Sequence, residues 1–383
     1  MTRTADVVVV GGGVVGTSAA YHLAAAGAGR VVLLERADAV GTGSTGACAG
    51  GFRQQFSSRI NIELSRASVP MILGFSEEHG LPLDVAQDGY LFLLRDERAW
   101  SEFRVSVELQ RSLGVDARLL SGDEAAAIAP GIAIDDVVGA TFCPDDGIAD
   151  PSGLTQGYAT AARRTGAEID LNVDVSAIRT AGDRVTGVAT SGGPIDAPVV
   201  VNAAGPWAGA LAATAGVSLP LEPIPRMVVT TGPFPGAPTR RTLVIDVATS
   251  YYFHKEGDGV LMGMGGGDEH ASFDVAVDHR FIEDELLPTA IRVFPPIEQA
   301  GIASMWAGLY EMTPDRHPII GESPVRGLYL ANGFSGHGFQ HAPVVGKLLA
   351  ELIVDGRTRT VDISTLGLDR FARGELVVEG HVV

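Results

Sequence analysis

The 383-residue sequence predicts an α/β protein in which a domain built on a parallel sheet, assembled from separated pieces of chain, carries an inserted β-rich α+β domain. Three observations predict this class. Residues 6–35 read as strand, glycine turn, helix and strand, which is a βαβ unit. A β-rich region with aromatic residues, roughly 226–265, follows a proline-rich section. From residue 328 the chain returns to a strand, a glycine turn and a helix.

The individual elements follow from periodicity and from glycine punctuation. The β-branched run at residues 6–10 predicts the first strand, the alanine-rich periodic segment 14–26 a helix, and 31–34 a second strand. The remaining predicted segments are a Gly/Ser/Ala loop at 41–51, helices near 57–79, 97–113, 154–165 and 280–294, strands at 199–205 and 328–331, and a last helix to about 354. We expect residues 1–80, 145–220 and 325–383 to form the first domain, and residues 81–144 and 221–324 the inserted one.

Composition and charge exclude several partner classes. The net charge of −18 argues against nucleic acid and against an anionic membrane surface. No apolar run approaches the roughly 18 residues of a membrane span, and the first residues do not have the pattern of a signal peptide. The two cysteines, Cys48 and Cys143, are far apart and fit no zinc spacing, so we expect reduced thiols, no metal and a cytoplasmic location.

The glycine pattern after the first strand indicates a dinucleotide site. Gly11 permits a tight turn, Gly13 lets a pyrophosphate approach the backbone, and Gly16 lets the helix pack on the sheet. The helix N-terminus, which begins with Val14 and Val15, offers unpaired N–H groups to the phosphates. After the second strand come Glu35, placed to accept both hydroxyls of an adenosine ribose, and Arg36. Since Glu35 would repel a 2′-phosphate, the pattern favours FAD or NAD over NADP. The further glycine-rich turns at 41–51, 203–205 and 333–338 favour a large, extended cofactor.

Five segments together resemble one known family: the N-terminal fingerprint, "GSTGACAGGFRQQFS" (43–57), "VNAAGPWA" (201–208), "WAGLYEMTPDRHPIIG" (306–321) and "LYLANGFSGHGFQHAPVVGKLLAELI" (328–353). In this combination the chain resembles FAD-dependent amine oxidoreductases of the D-amino acid oxidase superfamily. It is most similar to sarcosine oxidase β subunits, with glycine oxidases and proline dehydrogenases as relatives. The resemblance implies a discontinuous, FAD-binding Rossmann-like domain and an inserted β-rich substrate domain.

The resemblance also implies where the cofactor lies. The glycine-rich backbone of 333–339 would lie against the flavin ring, and the following helix would point its N-terminus at the pyrimidine edge, where it would stabilise the reduced flavin. The implied flavin-side residues are Gly333, Phe334, Gly336, His337, Gly338, Phe339 and Gln340. Those implied along the pyrophosphate and ring are Gly43, Ser44, Thr45, Gly50, Gly51 and Phe52; those on the adenosine side are Val175, Ala204, Gly205 and Trp207.

The sequence departs from its relatives at several functional positions. Gly308 stands where monomeric sarcosine oxidases attach the flavin to a cysteine, so we expect non-covalent FAD. Gln340 and Tyr310 stand where relatives bind the substrate carboxylate with lysine or arginine; Arg53, and less strongly Arg226, are the replacements we expect. The lysine that activates oxygen in monomeric oxidases has no counterpart, which leaves open whether O₂ or an electron carrier is the acceptor. Asp150 replaces the histidine that tethers a second flavin in heterotetrameric relatives, so we expect only one flavin.

The resemblance implies oxidation of a secondary amine or amino acid, N-methyl or cyclic, by hydride transfer from the carbon beside nitrogen to flavin N5, followed by hydrolysis of the imine. The candidate catalytic residues are Arg53, Tyr252, Tyr310, His337 and Gln340. Tyr252, Phe253 and Tyr310 fit an aromatic cage for the amine and equally fit the core of the β-rich domain. Two alternatives remain at this point: oxidation of an alcohol or hydroxy acid, and a flavin-stabilised assembly subunit. Partner subunits are possible for such a chain. His337 and His341 have metal-ligand spacing but no acidic or cysteine partner, so no metal is expected.

Overall fold

The computed structural model describes residues 3–266 and 270–381. Its strands are β1 (Arg3–Thr4), β2 (Val7–Val10), β3 (Val31–Leu34), β4 (Gly51–Phe52), β5 (Val85–Ala86), β6 (Tyr90–Leu94), β7 (Arg118–Leu120), β8 (Gly139–Cys143), β9 (Gly147–Ala149), β10 (Glu168–Asp170), β11 (Val175–Ala181), β12 (Arg184–Thr190), β13 (Ile195–Asp196), β14 (Val199–Asn202), β15 (Glu222–Thr231), β16 (Leu243–Asp246), β17 (Tyr251–Glu256), β18 (Gly259–Met264), β19 (Ile302–Met312), β20 (Ile319–Glu322) and β21 (Leu328–Asn332). Its helices are α1 (Val14–Ala25), α2 (Arg59–Leu73), α3 (Phe75–His79), α4 (Glu97–Ser112), α5 (Gly122–Ile128), α6 (Pro151–Arg164), α7 (Ala208–Ala213), α8 (His279–Phe281), α9 (Leu287–Val293), α10 (Gly338–Asp355) and α11 (Arg370–Arg373). A π-helical turn, Ile282–Leu286, joins α8 to α9, and short 3₁₀ turns lie at Gly205–Trp207, Pro295–Gln299 and Ser364–Leu366.

A six-stranded sheet in the order β10-β3-β2-β14-β21-β20 forms the first layer. All its neighbouring strands pair in parallel except β20, which runs antiparallel to β21. Strands β2 and β3 are buried along their whole length, which explains their unbroken runs of valine and leucine. Helix α1 packs between α6 and α10. As in other open parallel sheets, the carboxyl ends of the strands meet at one edge, which is where ligands bind.

An eight-stranded sheet in the order β19-β15-β18-β17-β16-β6-β8-β7 forms the second layer. Its longest pairing joins β15 to β19 from Glu222↔Met312 to Thr231↔Ile302. One face carries an apolar cluster that includes Phe253, Phe294 and Leu286, with α8, the π turn and α9 packed against it. The other face, which carries Tyr252 and Tyr310, looks toward the first layer.

Two small sheets complete the structure. Strands β11, β12 and β13 form an antiparallel meander to which β1 adds in parallel. Strands β4, β9 and β5 form a three-stranded antiparallel sheet, and β4 brings the segment after the 41–51 loop beside the large sheet. The register Gly51↔Ile148 therefore fixes the start of the chain that leads to Arg53.

The predicted fold class is confirmed: the chain forms a mixed α/β structure with the predicted strand–turn–helix–strand start and the predicted β-rich region. The exact domain boundaries stay a prediction, and residues 1–2, 267–269 and 382–383 of the predicted pieces lie outside the described residues. Strand β20, within the predicted piece 221–324, pairs with β21 in the six-stranded sheet. Across the described chain, no helix is both long enough and apolar enough to cross a membrane.

Candidate functional site

Two adjoining cavities define the candidate site, which we call the larger and the smaller cavity. The larger one, of about 550 Å³, opens at the carboxyl ends of β2, β3, β14 and β21. Its lining includes Gly11, Gly13, Val14, Val15, Glu35, Arg36, Gly43, Ser44, Thr45, Val175, Ala204, Gly205, Trp207, Phe334, Gly336, Gly338 and Phe339, all expected cofactor residues. The smaller one, of about 110 Å³, is lined by the expected residues Gly50, Gly51, Arg53, Tyr252, Gly308, His337 and Gln340. Tyr310, Gly336 and Phe339 line both, so the two cavities are continuous.

The N-terminus of α1 faces the larger cavity without a side-chain cap. The N-cap residue is Gly13, and the first turn holds no acidic side chain, so the positive dipole end faces the cavity. The backbone N–H of Val14 donates to Oγ1 of Thr45 at 3.2 Å, and Thr45 lines the same cavity. Gly11 has φ +108°, and a Cβ there would lie 2.3 Å from the carbonyl oxygen of Ala203. A Cβ on Gly16 would lie 1.9 Å from the carbonyl oxygen of Gly11. Gly16 thus acts in helix–strand packing and lines neither cavity.

The far end of the larger cavity has the chemistry of an adenosine site. The carboxylate of Glu35 accepts the backbone N–H groups of Gly12 at 2.6 Å and Ala37 at 2.8 Å, which holds it at the end of β3. The guanidinium of Arg36 lies 3.7 Å from the ring centroid of Trp207, so the two form a flat stacked wall. Val175 lines the same end of the cavity.

The N-terminus of α10 lies where the two cavities join. This helix begins at Gly338 with no side-chain cap and no acidic residue in its first turn. Gly336 has φ +93°, and a Cβ there would lie 2.5 Å from Cε2 of Tyr310, so glycine is required by both conformation and space. A planar ring at this junction would meet helix N–H groups on one edge, as the reduced flavin needs.

Arg53 is the buried cation of the smaller cavity, with 5 % of its surface exposed. Its guanidinium donates to the carbonyl oxygens of Gln55 and His381 and lies 3.9 Å from the ring centroid of Phe56. Burial lowers the pKa of Arg53, although nearby Glu379 opposes the shift. Arginine still keeps its charge under these conditions. Arg226 also lines this cavity, with its guanidinium 5.2 Å from the ring centroid of Tyr310.

Gln340 and His337 connect Arg53 to α10. Oε1 of Gln340 accepts the backbone N–H of Arg53 at 2.7 Å. Nε2 of His337 lies 3.5 Å from the guanidinium of Arg53, and burial together with the charge of Arg53 holds the pKa of His337 well below its usual value. Both side chains therefore stand at the cavity as neutral groups, and Nε2 of His337 is assigned as an acceptor.

Three tyrosines wall the smaller cavity. Tyr252 and Tyr310, both expected, are joined by Tyr90, which sequence reasoning missed. Of the two interpretations of Phe253, the core one holds: its ring packs 4.7 Å from that of Phe294, centroid to centroid, on the opposite face of β17. The reason is the two-residue period of a strand, which sends the neighbours Tyr252 and Phe253 to opposite faces.

Two further expected residues, Phe52 and Gly333, line neither cavity. Phe52 is fully buried in a core cluster with Phe75 and Tyr158, on the face of β4 opposite to Gly51. Gly333 has φ +72° and lies against Thr313, so it shapes the turn before α10 without lining either cavity. Both support the site through packing.

Cys48 and Glu311 line the larger cavity as ionisable groups. Burial raises the pKa of the Cys48 thiol to about 12, so it stays protonated. Burial also raises the pKa of Glu311 to about 7, and its Oε1 accepts the backbone N–H of Phe334 at 3.4 Å. Its Oε2 is buried without a hydrogen-bond partner among the described residues. Sequence reasoning missed Glu311, although it directly follows Tyr310 in a quoted motif.

The histidine pair has its own contacts. The rings of His337 and His341 are 6.2 Å apart, centroid to centroid, and Nε2 of His341 lies 3.0 Å from Oγ of Ser65. Burial lowers the pKa of His341 to about 3. In residues 3–266 and 270–381, no group of three or more His, Cys, Asp or Glu side chains is arranged to hold a metal ion.

The residues present fit FAD. Two uncapped helix N-termini face one elongated cavity, one at the glycine fingerprint for a pyrophosphate and one at the junction for a flavin edge. Glu35 supplies the ribose acceptor, and Arg36 with Trp207 supplies a flat wall on the adenosine side. Gly308 faces Ala47, 2.8 Å from where its Cβ would stand, and offers no thiol for a covalent link.

Comparison with known proteins gives a consistent result. The family model described as FAD dependent oxidoreductase matches residues 6–352. The chain is 34 % identical to human mitochondrial sarcosine dehydrogenase over 376 residues, which is 93 % of this chain and 40 % of that protein. Among solved structures, L-proline dehydrogenase from P. horikoshii superposes with a TM-score of 0.91 at 35 % identity, covering 98 % of this chain and 100 % of that one. Glycine oxidase from Geobacillus kaustophilus superposes with a TM-score of 0.86 at 29 % identity, covering 96 % and 99 %.

The share of each relative's own length that this chain spans differs between the curated proteins and the solved structures. The chain spans about two-fifths of the length of the human and mouse sarcosine dehydrogenases it matches. It spans essentially the whole of the two solved structures. The predicted resemblance to amine oxidoreductases of this superfamily is confirmed, and FAD is the cofactor.

Proposed function

The chain belongs to the FAD-dependent oxidoreductase family, and from this premise we propose that it oxidises a small amino acid whose nitrogen is a secondary amine, N-methylated or cyclic. The observation that carries the proposal is the charge of the smaller cavity. Arg53 and Arg226 line it, and none of the described side chains around it is an aspartate or glutamate. Such a cavity selects a substrate with a carboxylate over a simple amine.

Arg53 is the proposed carboxylate anchor. Its bonds to the carbonyl oxygens of Gln55 and His381 leave guanidinium N–H groups for a ligand. Arg226 enters the same cavity from β15 and adds a second positive charge. This cavity, of about 110 Å³, is much smaller than the adjoining one of about 550 Å³, which favours a small substrate.

The positive charge of the cavity also favours the deprotonated form of the substrate's amine nitrogen. An ammonium group beside the buried guanidinium of Arg53 is disfavoured, so the bound substrate loses its amine proton more readily than in water. The neutral imidazole of His337 lines the cavity and adds no positive charge. The protein's task is therefore to bind the carboxylate, favour the free amine and hold the carbon beside nitrogen against the junction of the cavities.

Bound FAD would supply the redox chemistry, namely acceptance of a hydride at N5 from that carbon, and water would then hydrolyse the imine. The chain's own contribution to this step is electrostatic and steric. The N-terminus of α10 stabilises negative charge at the flavin edge. Tyr90, Tyr252 and Tyr310 wall the cavity and exclude water from the reacting carbon.

The names of the relatives support the substrate class. The human relative is a sarcosine dehydrogenase, which acts on an N-methyl amino acid, and the P. horikoshii structure is an L-proline dehydrogenase, which acts on a cyclic one. No lysine is among the described residues lining either cavity, so the acceptor, O₂ or an electron carrier, is left to experiment. Non-covalent FAD, a single flavin, a cytoplasmic location and any partner subunits stay predictions.

The test compares each acid with its uncharged amide: N-methylglycine with N-methylglycinamide, and proline with prolinamide. Flavin reduction is followed without oxygen in the wild-type protein and in Arg53→Gln. We expect the wild type to prefer the acids by at least about thirtyfold, which corresponds to one charge-assisted contact of about 2 kcal/mol. Arg53→Gln should remove most of that preference.

Arg240→Gln is the matched control, because Arg240 is exposed and pairs with Asp88 outside both cavities. It should keep the wild-type preference. Equal rates for acids and amides in the wild type would contradict the carboxylate anchor. Reduction by glycolate or lactate in place of the amino acids would favour the hydroxy-acid alternative. No reduction by any of these compounds would favour the assembly-subunit alternative.

A further inference from the structure

We propose that the C-terminal tail, residues 375–381, is a positioning element of the substrate site, which orients Arg53 through the backbone carbonyl of His381. The inference rests on the proposed function, because it concerns the residue to which we assign the substrate carboxylate. It assigns a role in substrate recognition to a segment that lines neither cavity.

The orientation of Arg53 depends on main-chain acceptors. One guanidinium nitrogen donates to the carbonyl oxygen of Gln55, which is two residues away in the same segment. A second guanidinium nitrogen donates to the carbonyl oxygen of His381, which is 328 residues away in the sequence. Nε2 of His337, at 3.5 Å, and the ring of Phe56, 3.9 Å from the guanidinium, are its further near contacts, and none of these partners is a carboxylate. Such an arrangement leaves the positive charge available to an incoming anion.

The tail is fastened to the segment that follows Arg53 by one carboxylate. Glu379 is fully buried and accepts six hydrogen bonds. Four come from the backbone N–H and hydroxyl groups of Ser57 and Ser58, at 2.5 to 3.1 Å, one from the Asn61 amide at 3.1 Å, and one from the backbone N–H of His381 at 3.0 Å. The last of these sets the course of the backbone immediately before the carbonyl that meets Arg53.

The tail has three further contacts. The imidazole of His381 stacks on the ring of Phe103, with centroids 3.9 Å apart and planes 15° from parallel. Its Nε2 lies 3.3 Å from Oγ of Ser106 on α4. The backbone N–H of Glu379 donates to the carbonyl oxygen of Asp315 at 3.1 Å, and Asp315 is itself paired with the buried Arg370. The carbonyl of His381 is thus held from three sides.

The contacts of the tail are concentrated in its last three described residues. Leu376, Val377 and Val378 are 41 %, 61 % and 57 % exposed. The serines that bind Glu379 lie only four and five residues after Arg53, so the tail and the arginine segment form one hydrogen-bonded unit. Loosening the unit should let the guanidinium leave the orientation in which it meets a carboxylate, at little cost to the sheets around it.

The experiment measures binding of methoxyacetate, the oxygen isostere of N-methylglycine, to the FAD-bound protein through the change in the visible flavin spectrum. Methoxyacetamide serves as the uncharged probe. The variants are Glu379→Gln and His381→Ala. The first weakens the hydrogen bonds that hold the tail, and the second removes the imidazole ring without changing the net charge, because a neutral histidine carries none. Val377→Ala, in the exposed part of the tail, is the matched control. FAD content and melting temperature are recorded for each protein.

Glu379→Gln separates positioning from electrostatics. Removing a negative charge near Arg53 should by itself tighten methoxyacetate binding. The positioning role predicts the opposite, a loss of about tenfold in both Glu379→Gln and His381→Ala, with methoxyacetamide changed by less than about twofold. Unchanged or tighter methoxyacetate binding in both variants would overturn the inference, and so would an equal loss for both probes.

Arg53→Gln distinguishes this failure from failure of the proposed function. If Arg53→Gln weakens methoxyacetate binding but the tail variants do not, Arg53 is the anchor and the tail does not position it. If Arg53→Gln itself leaves methoxyacetate binding unchanged, the carboxylate anchor is wrong and the inference falls with it. If Glu379→Gln does not fold, His381→Ala alone decides, because it keeps the six bonds to Glu379.

Discussion

Gly13→Ala separates the role of the glycine fingerprint in FAD binding from its role in folding. Gly13 is the N-cap of α1 and has φ −71° and ψ 179°, which alanine adopts without strain. The new Cβ would lie 3.2 Å from the hydroxyl oxygen of Thr45, a side-chain atom that can move by a few tenths of an ångström. We therefore expect a change in the free energy of unfolding of the FAD-free protein of less than about 1 kcal/mol.

The effect on FAD should be much larger. The methyl group would stand at the uncapped helix N-terminus, in the larger cavity, where a phosphate must approach the backbone. Losing one hydrogen bond to a charged phosphate costs roughly 1.5–3 kcal/mol. At about 2 kcal/mol, the dissociation constant for FAD should rise about thirtyfold.

The assay is titration of FAD into the FAD-free protein, followed by quenching of flavin fluorescence, beside chemical denaturation of the same preparations. Gly192→Ala is the control, since Gly192 lies in a surface turn where a new Cβ would stand 3.7 Å from its nearest neighbour, the hydroxyl oxygen of Thr190. This variant should match the wild type in both measurements. Wild-type FAD affinity in Gly13→Ala would refute the assignment of the pyrophosphate to this helix end.

Three further predictions concern Asp146, Cys48 and Gly308. Burial raises the pKa of Asp146 from 3.8 to about 7, so the folded protein holds this proton more tightly than the unfolded chain; the resulting stability is complete below pH 3.8 and is lost as pH rises through 7. Denaturation of Asp146→Asn at several pH values should lack this loss, which amounts to at most about 4 kcal/mol, and a pH profile parallel to that of the wild type would contradict the assignment. Cys48 is partly exposed and lines both cavities, but its pKa is raised to about 12, so iodoacetamide should modify it only slowly at pH 8, as mass spectrometry of the folded protein would show; rapid labelling would contradict the raised pKa. Because Gly308 offers no thiol, acid precipitation should release all the flavin into the supernatant, whereas flavin retained in the pellet would indicate a covalent link.

The cofactor half of the site could be predicted from the sequence because its signals are local. The glycines of the fingerprint, Glu35 and the N-terminus of α1 lie within 25 residues of one another, and their spacing alone places them at one sheet edge. The junction at Gly336 also carried a visible signal, three glycines before a helix. Family resemblance was needed for Val175, which no local pattern connects to the cavity.

The substrate half was harder to predict because it depends on packing between distant segments. Tyr90 lies in the apolar run of β6, where nothing distinguishes it from a core residue. Residue type alone leaves Phe253 open between cavity and core, whereas the register of β17 turns it to the core. The contact between Arg53 and His381 spans 328 residues, and it follows from tertiary structure alone.

The most direct test of the central claim is the visible spectrum of the purified protein, recorded before and after adding N-methylglycine or proline without oxygen. Flavin absorption that bleaches with one of these amino acids is the predicted result, and readmission of air then shows whether O₂ accepts the electrons. Flavin absorption that persists with every secondary-amine amino acid would contradict the proposed function while leaving the fold and cofactor intact. A protein that takes up no FAD on reconstitution would contradict the assignment of FAD as the cofactor, on which the proposed function depends.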